Sequence, residues 1–254
     1  MSRRPSDPAP QENGAPSRQD GALFHAADPR FYGRRKGKRL KSTRQRLVED
    51  LLPRVAVAEP AEGETLDLAA LFPRPMRAYA LEVGFGNGEH LAGWAARHPD
   101  IGFIGAEPFI NGVGALLVQM EDQGLDNIRV FTDDVRRLLP AIPANALEKV
   151  FVLFPDPWPK ARHARRRFIN VSNLDLLAER MVDGAELRVA SDDMVYVRWS
   201  LIQATNHPAF GWTAEKPEDW RQRWPDGFPT RYEAKQIRGE PKYLTFRRLP
   251  RPLG

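Results

Sequence analysis

Carboxylates stand at the ends of several apolar runs in this sequence, and the first lies beside three closely spaced glycines. The stretch Leu81-Glu82-Val83-Gly84-Phe85-Gly86-Asn87-Gly88-Glu89 places glycines at alternate positions between an apolar run and a helical pattern. Glycines so placed let the backbone approach a ligand closely. The second run ends at Glu107, nineteen residues past Gly88, where an acidic side chain can accept both hydroxyls of a ribose. Taken alone, this pattern also fits nicotinamide enzymes, which favour Gly-x-Gly-x-x-Gly with a pyrophosphate on the helix N-terminus. Here the spacing is Gly-x-Gly-x-Gly, with Glu82 two residues before it and Glu89 directly after. Negative charge there repels a pyrophosphate but can hold the ammonium and sulfonium of S-adenosylmethionine, so a methyl donor is favoured.

The third run ends at Asp133 and Asp134, where an acid can accept the exocyclic amine of adenine or, equally, cap the helix that follows. The fourth carries the most specific signal, Phe154-Pro155-Asp156-Pro157-Trp158-Pro159-Lys160. Three prolines at alternate positions remove three backbone donors and stiffen the segment, fixing Asp156 beside a large aromatic plane. Lys160, Arg162, His163, Arg165, Arg166 and Arg167 follow at once. Such a run alone reads as a solvated helix face; next to a rigid acid and a Trp, it reads better as a phosphate clamp for nucleic acid. The fifth run ends at Ser191-Asp192-Asp193, and Thr230-Arg231-Tyr232-Glu233 reads as a turn with the start of a strand.

The elements that must position these residues are short apolar strands at 78–85, 101–107, 128–134, 149–156 and 185–193, with a final strand within 239–248. Between them lie helical spacings: Leu91, Trp94 and Ala95; Val113, Leu116, Leu117 and Met120; Leu174, Leu177, Ala178 and Met181. Strands apolar throughout and separated by helices predict a parallel sheet covered on both faces, a doubly wound α/β fold whose ligands sit outside the strands' carboxyl ends. Leu47, Val48, Leu51 and Leu52 predict a short helix capped by Ser42 or Thr43 and ended or kinked by Pro53.

Of 254 residues, 38 are Lys or Arg and 33 Asp or Glu, a net +5. Residues 1–46 hold twelve basic and four acidic residues, so the remainder is slightly acidic and the surplus is an arm suited to a polyanionic partner. Residues 1–22, rich in Pro, Ser, Gln, Asp and Gly, are expected to be disordered, and residues 1–40 to form a Pro-rich basic arm ahead of a domain at 41–254. Zero cysteines exclude disulfides, thiolate metal sites and a Cys nucleophile. No signal peptide and no spanning run is evident, which points to the cytoplasm, and no metal site is expected.

On these residues the chain resembles the bacterial tRNA (guanine-N7-)-methyltransferase family from about Arg46 to Arg248. The likeness rests on LEVGFGNGEHL, GAEPFINGVGALL, LFPDPWPKARHARRR, ASDD and TRYE. It implies a Rossmann-like class I methyltransferase fold with a mostly parallel seven-stranded sheet. It also implies transfer of the methyl group of S-adenosylmethionine to guanine N7 in tRNA, at the variable-loop guanosine at position 46, by a monomer or homodimer. Carried over, Glu82, Gly84, Gly86, Gly88, Glu107, Asp134 and Asp156 bind the methyl donor, and Asp156 is catalytic. Lys160, Asp192, Thr230, Arg231, Tyr232 and Glu233 face the substrate nucleotide. Arg162, His163, Ala164, Arg165, Arg166 and Arg167 touch the RNA. Two acidic pairs, Asp133-Asp134 and Asp192-Asp193, leave open which member of each is functional.

The inventory fits guanine N7 independently. Pyrimidine C5 methylation normally passes through a cysteine adduct, and the Asn/Asp-Pro-Pro-aromatic turn often associated with amine methylation is absent, since Trp158 follows Pro157. Guanine N7 offers a lone pair and loses no proton. The rival readings are a methyltransferase acting on another RNA or a small metabolite, a non-catalytic RNA-binding module, and a nicotinamide dehydrogenase.

Overall fold

The computed structural model describes residues 33–235 and 237–251, with the side chains of Tyr232 and Lys235 left aside. The expectation of disorder over residues 1–22, and most of the proposed arm, therefore lies outside the described residues.

Seven strands form one sheet: β1 (Ala78–Val83), β2 (Ile101–Ala106), β3 (Ile128–Phe131), β4 (Leu147–Leu153), β5 (Met181–Ser191), β6 (Phe210–Trp212) and β7 (Lys242–Arg248). Their order is β3-β2-β1-β4-β5-β7-β6. The first five are parallel, and β7 runs antiparallel to both β5 and β6. Chain order reverses at β1, which has β2 on one side and β4 on the other; its carboxyl end is the switch point where open α/β sheets bind ligands.

Neighbouring residues of a strand point to opposite faces, and each face buries its own core. Ala78, Ala80, Phe103, Ile128, Val130 and Phe151 pack with α1 (Ser42–Asp50), α3 (Glu89–Arg97) and α4 (Ile110–Gln123). Leu81, Ile104, Val150, Val152, Leu187 and Val189 pack with α6 (Val171–Arg180) and α7 (Met194–Thr205) on the other. The shorter helices are α2 (Leu52–Val55), α5 (Val135–Leu138), α8 (Glu218–Arg221) and α9 (Arg231–Lys235).

Local details depart from the sequence reading. Helix α1 starts at Ser42 with Lys41 at the cap position and no side-chain cap, so neither Ser42 nor Thr43 plays that part. Met181 opens β5 instead of extending the apolar face of α6. Residues 33–40 carry no regular secondary structure yet are tied to the domain. Arg35 pairs with Asp133 at 2.8 Å, and the Arg35 carbonyl accepts from the Ile110 amide, one of the unpaired donors at the start of α4. The Gly37 amide donates to Asn111 Oδ1, and Asn111 Nδ2 donates to the Lys38 carbonyl.

Candidate active site

Register aligns the strand ends. Val83 lies opposite Ala106 of β2 and Val152 of β4, so the glycine loop, Glu107 and the proline-rich exit meet at one edge. A cleft of about 700 Å³ opens there, lined among others by Glu82, Gly84, Gly86, Glu107, Asp134 and Asp156. Trp158, Arg166 and Thr230 also reach it, as do Gly33 and Arg34 from the segment ahead of α1.

Gly84, Gly86 and Gly88 all adopt positive φ, at 68°, 60° and 81°. A second glycine makes the loop possible from across the site: a Cβ on Gly112 of α4 would lie 2.1 Å from the Gly86 carbonyl oxygen. The Gly86 amide donates to Glu107 Oε2 at 2.8 Å, and the Phe109 amide to Oε1 at 2.9 Å, so Glu107 is held by backbone from both sides. Burial pushes the Glu107 carboxyl above its ordinary value, and the nearby charges of Asp156 and Glu82 add to that, against the two amides. Glu82, Glu89, Glu107, Asp134 and Asp156 line the cleft against Arg34, Arg136 and Arg166, so its lining is net acidic and favours a cationic guest.

The proline-rich exit is strained as well as stiff. Phe154 and Trp158 both take left-handed backbone, φ 49° and 42°, and bracket Pro155-Asp156-Pro157. Bulky residues adopt this conformation only where the surroundings enforce it. Arg167 supplies the enforcement: it is buried, donates Nε to the Pro157 carbonyl at 3.0 Å and Nη2 to the Trp158 carbonyl at 2.8 Å, and lies over Trp199. Arg167, expected to contact RNA, is instead buried and directed inward to these two carbonyls, where it braces the loop. Asp156 is exposed at the cleft and has no hydrogen-bond or ion-pair partner among the described residues.

The rest of the basic run forms a 3-10 helix, Ala161–Arg166. Lys160, Arg162 and Arg165 are exposed, and Ala164 is half-buried. Arg166 lies over the Trp158 ring at 4.8 Å, and His163 meets its edge. Desolvation, together with the charges of Arg166, Arg162, Lys160 and Arg165, holds the His163 imidazole below its ordinary value. We expect Arg167→Met to cost about 2–4 kcal/mol, a fall of roughly 5–10 °C in Tm, without changing the salt dependence of RNA binding. Arg165→Gln should leave Tm alone and reduce the salt slope by about 0.7–0.9. Differential scanning fluorimetry and binding titrations at several salt concentrations check both.

The acidic pairs divide their roles. Asp134 caps α5 through the Arg136 amide and lines the cleft, while Asp133 accepts from Arg35 and from the Asp134 amide. Asp193 caps α7 and is buried, so its carboxylate is committed to the fold; Asp192 is more open and accepts the Arg238 amide. Thr230 and Glu233 start α9, not a strand: Thr230 Oγ1 accepts from the Glu233 amide and Glu233 Oε2 from the Thr230 amide, a capping box. Glu233 Oε1 also receives Arg223 Nε and Tyr243 Oη, each at 2.7 Å. Its carboxylate is fully engaged within the protein, whereas Thr230 reaches the cleft. Arg231 is exposed at the helix surface, and the side chain of Tyr232 lies outside the described residues. The approach of Gly112 to Gly86, the pairing of His90 with Glu82 and the attachment of residues 33–40 to the domain escaped the sequence reading, although the Asn111-Gly112 pair follows the second strand end closely.

Sheet order, glycine loop and strand-end acids together define a class I methyltransferase architecture. A family model described as "Putative methyltransferase" matches residues 76–244. The curated tRNA (guanine-N(7)-)-methyltransferase of Rhodospirillum rubrum is 57% identical over 228 residues, 88% of this chain and 89% of that protein. The one from Paramagnetospirillum magneticum is 50% identical over 89% of this chain and 95% of its own length. The solved 16S rRNA methyltransferase KamB shares the fold, with TM-score 0.50 and 15% identity over 74% of this chain and 95% of that chain. The chain belongs to the tRNA (guanine-N(7)-)-methyltransferase family.

Proposed function

We propose that this protein transfers the methyl group of S-adenosylmethionine to N7 of guanine in tRNA, at the variable-loop guanosine at position 46. The single observation that carries the reading, beside family membership, is Asp156. Its carboxylate is unpartnered among the described residues, sits on a strained and braced loop, and lies between an acidic cleft and an exposed basic helix.

The residues present fit the methyl donor. Gly86, kept close by Gly112, leaves room for an adenosine at the backbone, and Glu107 ends β2 where ribose hydroxyls would be received. Glu82 and Asp156 supply negative charge for the donor's cationic centres, and Asp134 lies at the side assigned to adenine. Bound there, S-adenosylmethionine supplies a sulfonium methyl, which the in-plane lone pair of guanine N7 accepts while the carbon–sulfur electron pair returns to sulfur. No proton is lost, so the chain needs no general base. Its task is to orient the base and exclude water, effects worth on the order of 7–11 kcal/mol.

Guanine must be told from adenine, whose N7 is equally exposed. Guanine N1–H and N2–H₂ both donate, so a carboxylate can accept from both, whereas adenine N1 would face it as an acceptor. Of Asp156, Asp192 and Glu233, Asp156 is the one without a partner among the described residues, since Glu233 is engaged by Arg223 and Tyr243 and Asp192 by the Arg238 amide. Trp158 offers a plane for the extruded base. Phosphates are received by Lys160, Arg162 and Arg165 and by the basic residues at 34–41. Cytoplasmic action follows from the tRNA substrate, and no helix among the described residues is long and apolar enough to cross a membrane.

Calorimetric titration with S-adenosylhomocysteine and with NAD separates this from the dehydrogenase reading: the first should bind and the second should not. Deleting residues 1–40 should flatten the salt slope of tRNA binding by roughly 0.7–0.9 for each phosphate that is no longer neutralised. It should also weaken S-adenosylhomocysteine binding, because Arg34 lines the cleft and Arg35 and Lys38 hold Asp133 and Asn111. Substituting Lys36 and Arg39 with Gln should change the slope alone.

A further inference from the structure

At the floor of the cleft lies a buried pair, one member of which, His90, has no role in the reading so far. His90, on the first turn of α3, faces Glu82 at the end of β1 with Nδ1 to Oε2 at 2.8 Å. The two side chains are 3% and 2% exposed, and both line the cleft. The described residues offer Glu82 Oε1 no hydrogen bond. His90 Nε2 is buried and has no partner among them.

That orphan nitrogen fixes the charge of the pair. The imidazole is edge-on to Phe151 at 4.7 Å between centroids and to Phe228 at 6.4 Å, with Trp94 at 6.1 Å. Nδ1 must carry a proton to meet a carboxylate. A second proton on Nε2 would be a buried N–H without an acceptor, which is costly. The ring is therefore neutral, the Nδ1–H tautomer is selected, and the negative charge of Glu82 is not cancelled by its neighbour.

We propose that His90 is a positioning residue for the amino-acid end of the methyl donor. By donating to Oε2 while remaining neutral, it turns Oε1 toward the cleft and keeps Glu82 anionic for the donor's α-ammonium. The proposal rests on the reading that this cleft takes S-adenosylmethionine. His90 touches neither the methyl group nor the base, and acts only through Glu82.

The test compares two ligands that share the adenosine thioether and differ in the amino-acid group: S-adenosylhomocysteine and 5′-methylthioadenosine, titrated calorimetrically. In His90→Phe, which keeps an aromatic ring in the cage, affinity for S-adenosylhomocysteine should fall about 10- to 100-fold, the effect of losing a charged hydrogen bond. Affinity for 5′-methylthioadenosine should stay within about twofold, and His90→Gln, whose amide can donate to Glu82, should recover most of the affinity. Equal weakening of both ligands would assign His90 a packing role and overturn the proposal, as would no change in either. If the wild-type protein binds neither ligand, the cleft reading itself fails and the proposal with it. A readout independent of any variant is the imidazole ¹⁵N spectrum of the wild-type protein at pH 7. It should show Nδ1 protonated and Nε2 bare; an Nε2–H tautomer or an imidazolium would overturn the proposal.

Discussion

Asp156→Asn is expected to lower kcat/KM for tRNA about 100- to 1,000-fold, equivalent to about 2.7–4 kcal/mol of transition-state stabilisation. The carboxylate has no partner among the described residues and stands on a loop whose backbone is strained at Phe154 and Trp158. Arg167 ties down the Pro157 and Trp158 carbonyls and the Phe154 amide donates to the Ala190 carbonyl, so the fold itself holds the acid in place. A carboxylate can accept from N1–H and N2–H₂ of guanine together, and an amide would turn its own donors toward one of them. Affinity for S-adenosylhomocysteine should change only several-fold, because Glu82 and Glu107 remain. Glu233→Gln is the contrast: it disturbs Arg223, Tyr243 and the cap of α9, so it should lower Tm while guanine selectivity is kept. Single-turnover kinetics with labelled donor separate these outcomes. Full turnover in Asp156→Asn, with selectivity lost in Glu233→Gln, would reverse the assignment.

The second large effect is expected from Gly112→Ala, one methyl group away from the chemistry. Its Cβ would lie 2.1 Å from the Gly86 carbonyl oxygen, and backbone cannot rotate aside as a side chain does. Gly86 must move, yet its amide is bonded to Glu107, so the loop and the ribose acid shift together. A displacement near 1 Å at a reacting geometry costs about 100-fold in rate, and the same shift disturbs the backbone cradle and the acid that would receive the ribose. We therefore expect S-adenosylhomocysteine affinity to fall roughly 10- to 100-fold, with a stability cost of about 1–3 kcal/mol from overpacking. Gly114→Ala, two residues on, would meet Arg44 Cβ at 3.3 Å, a contact relieved by a shift of a few tenths of an ångström, and should cost far less. Calorimetric titration and thermal unfolding of the two variants check this, and wild-type binding by Gly112→Ala would contradict it.

Much of the site is legible in the sequence because it lies where local signals are strong. Apolar runs and turn residues mark the parallel strands, and the doubly wound rule assigns their carboxyl ends to the ligand, so Glu82, Glu107, Asp134 and Asp156 are found together. The prolines around Asp156 announce rigidity before any coordinate does. What stays hidden is how side chains are committed, since partners come from distant parts of the chain. Arg167 looks like its exposed neighbours in the basic run, and only the fold turns it inward to carbonyls ten and nine residues back. Asp133 finds Arg35 98 residues away. Thr230 and Glu233 do carry a local signature, Thr-x-x-Glu, the usual mark of a capping box, which the functional motif overshadowed. Strand β6 is three residues long with a central glycine, too short for any alternation to register. The pairing of His90 with Glu82 spans eight residues across a strand, a loop and a helix turn, a geometry that neither period 2 nor period 3.6 encodes.

The central claim, methyl transfer to guanine N7 in tRNA, is tested most directly by mass spectrometry of nucleosides. Unmodified tRNA would be incubated with the protein and isotopically labelled S-adenosylmethionine, then digested. Labelled 7-methylguanosine, and no other labelled nucleoside, is the predicted result; label in another nucleoside, or in none, would contradict the account.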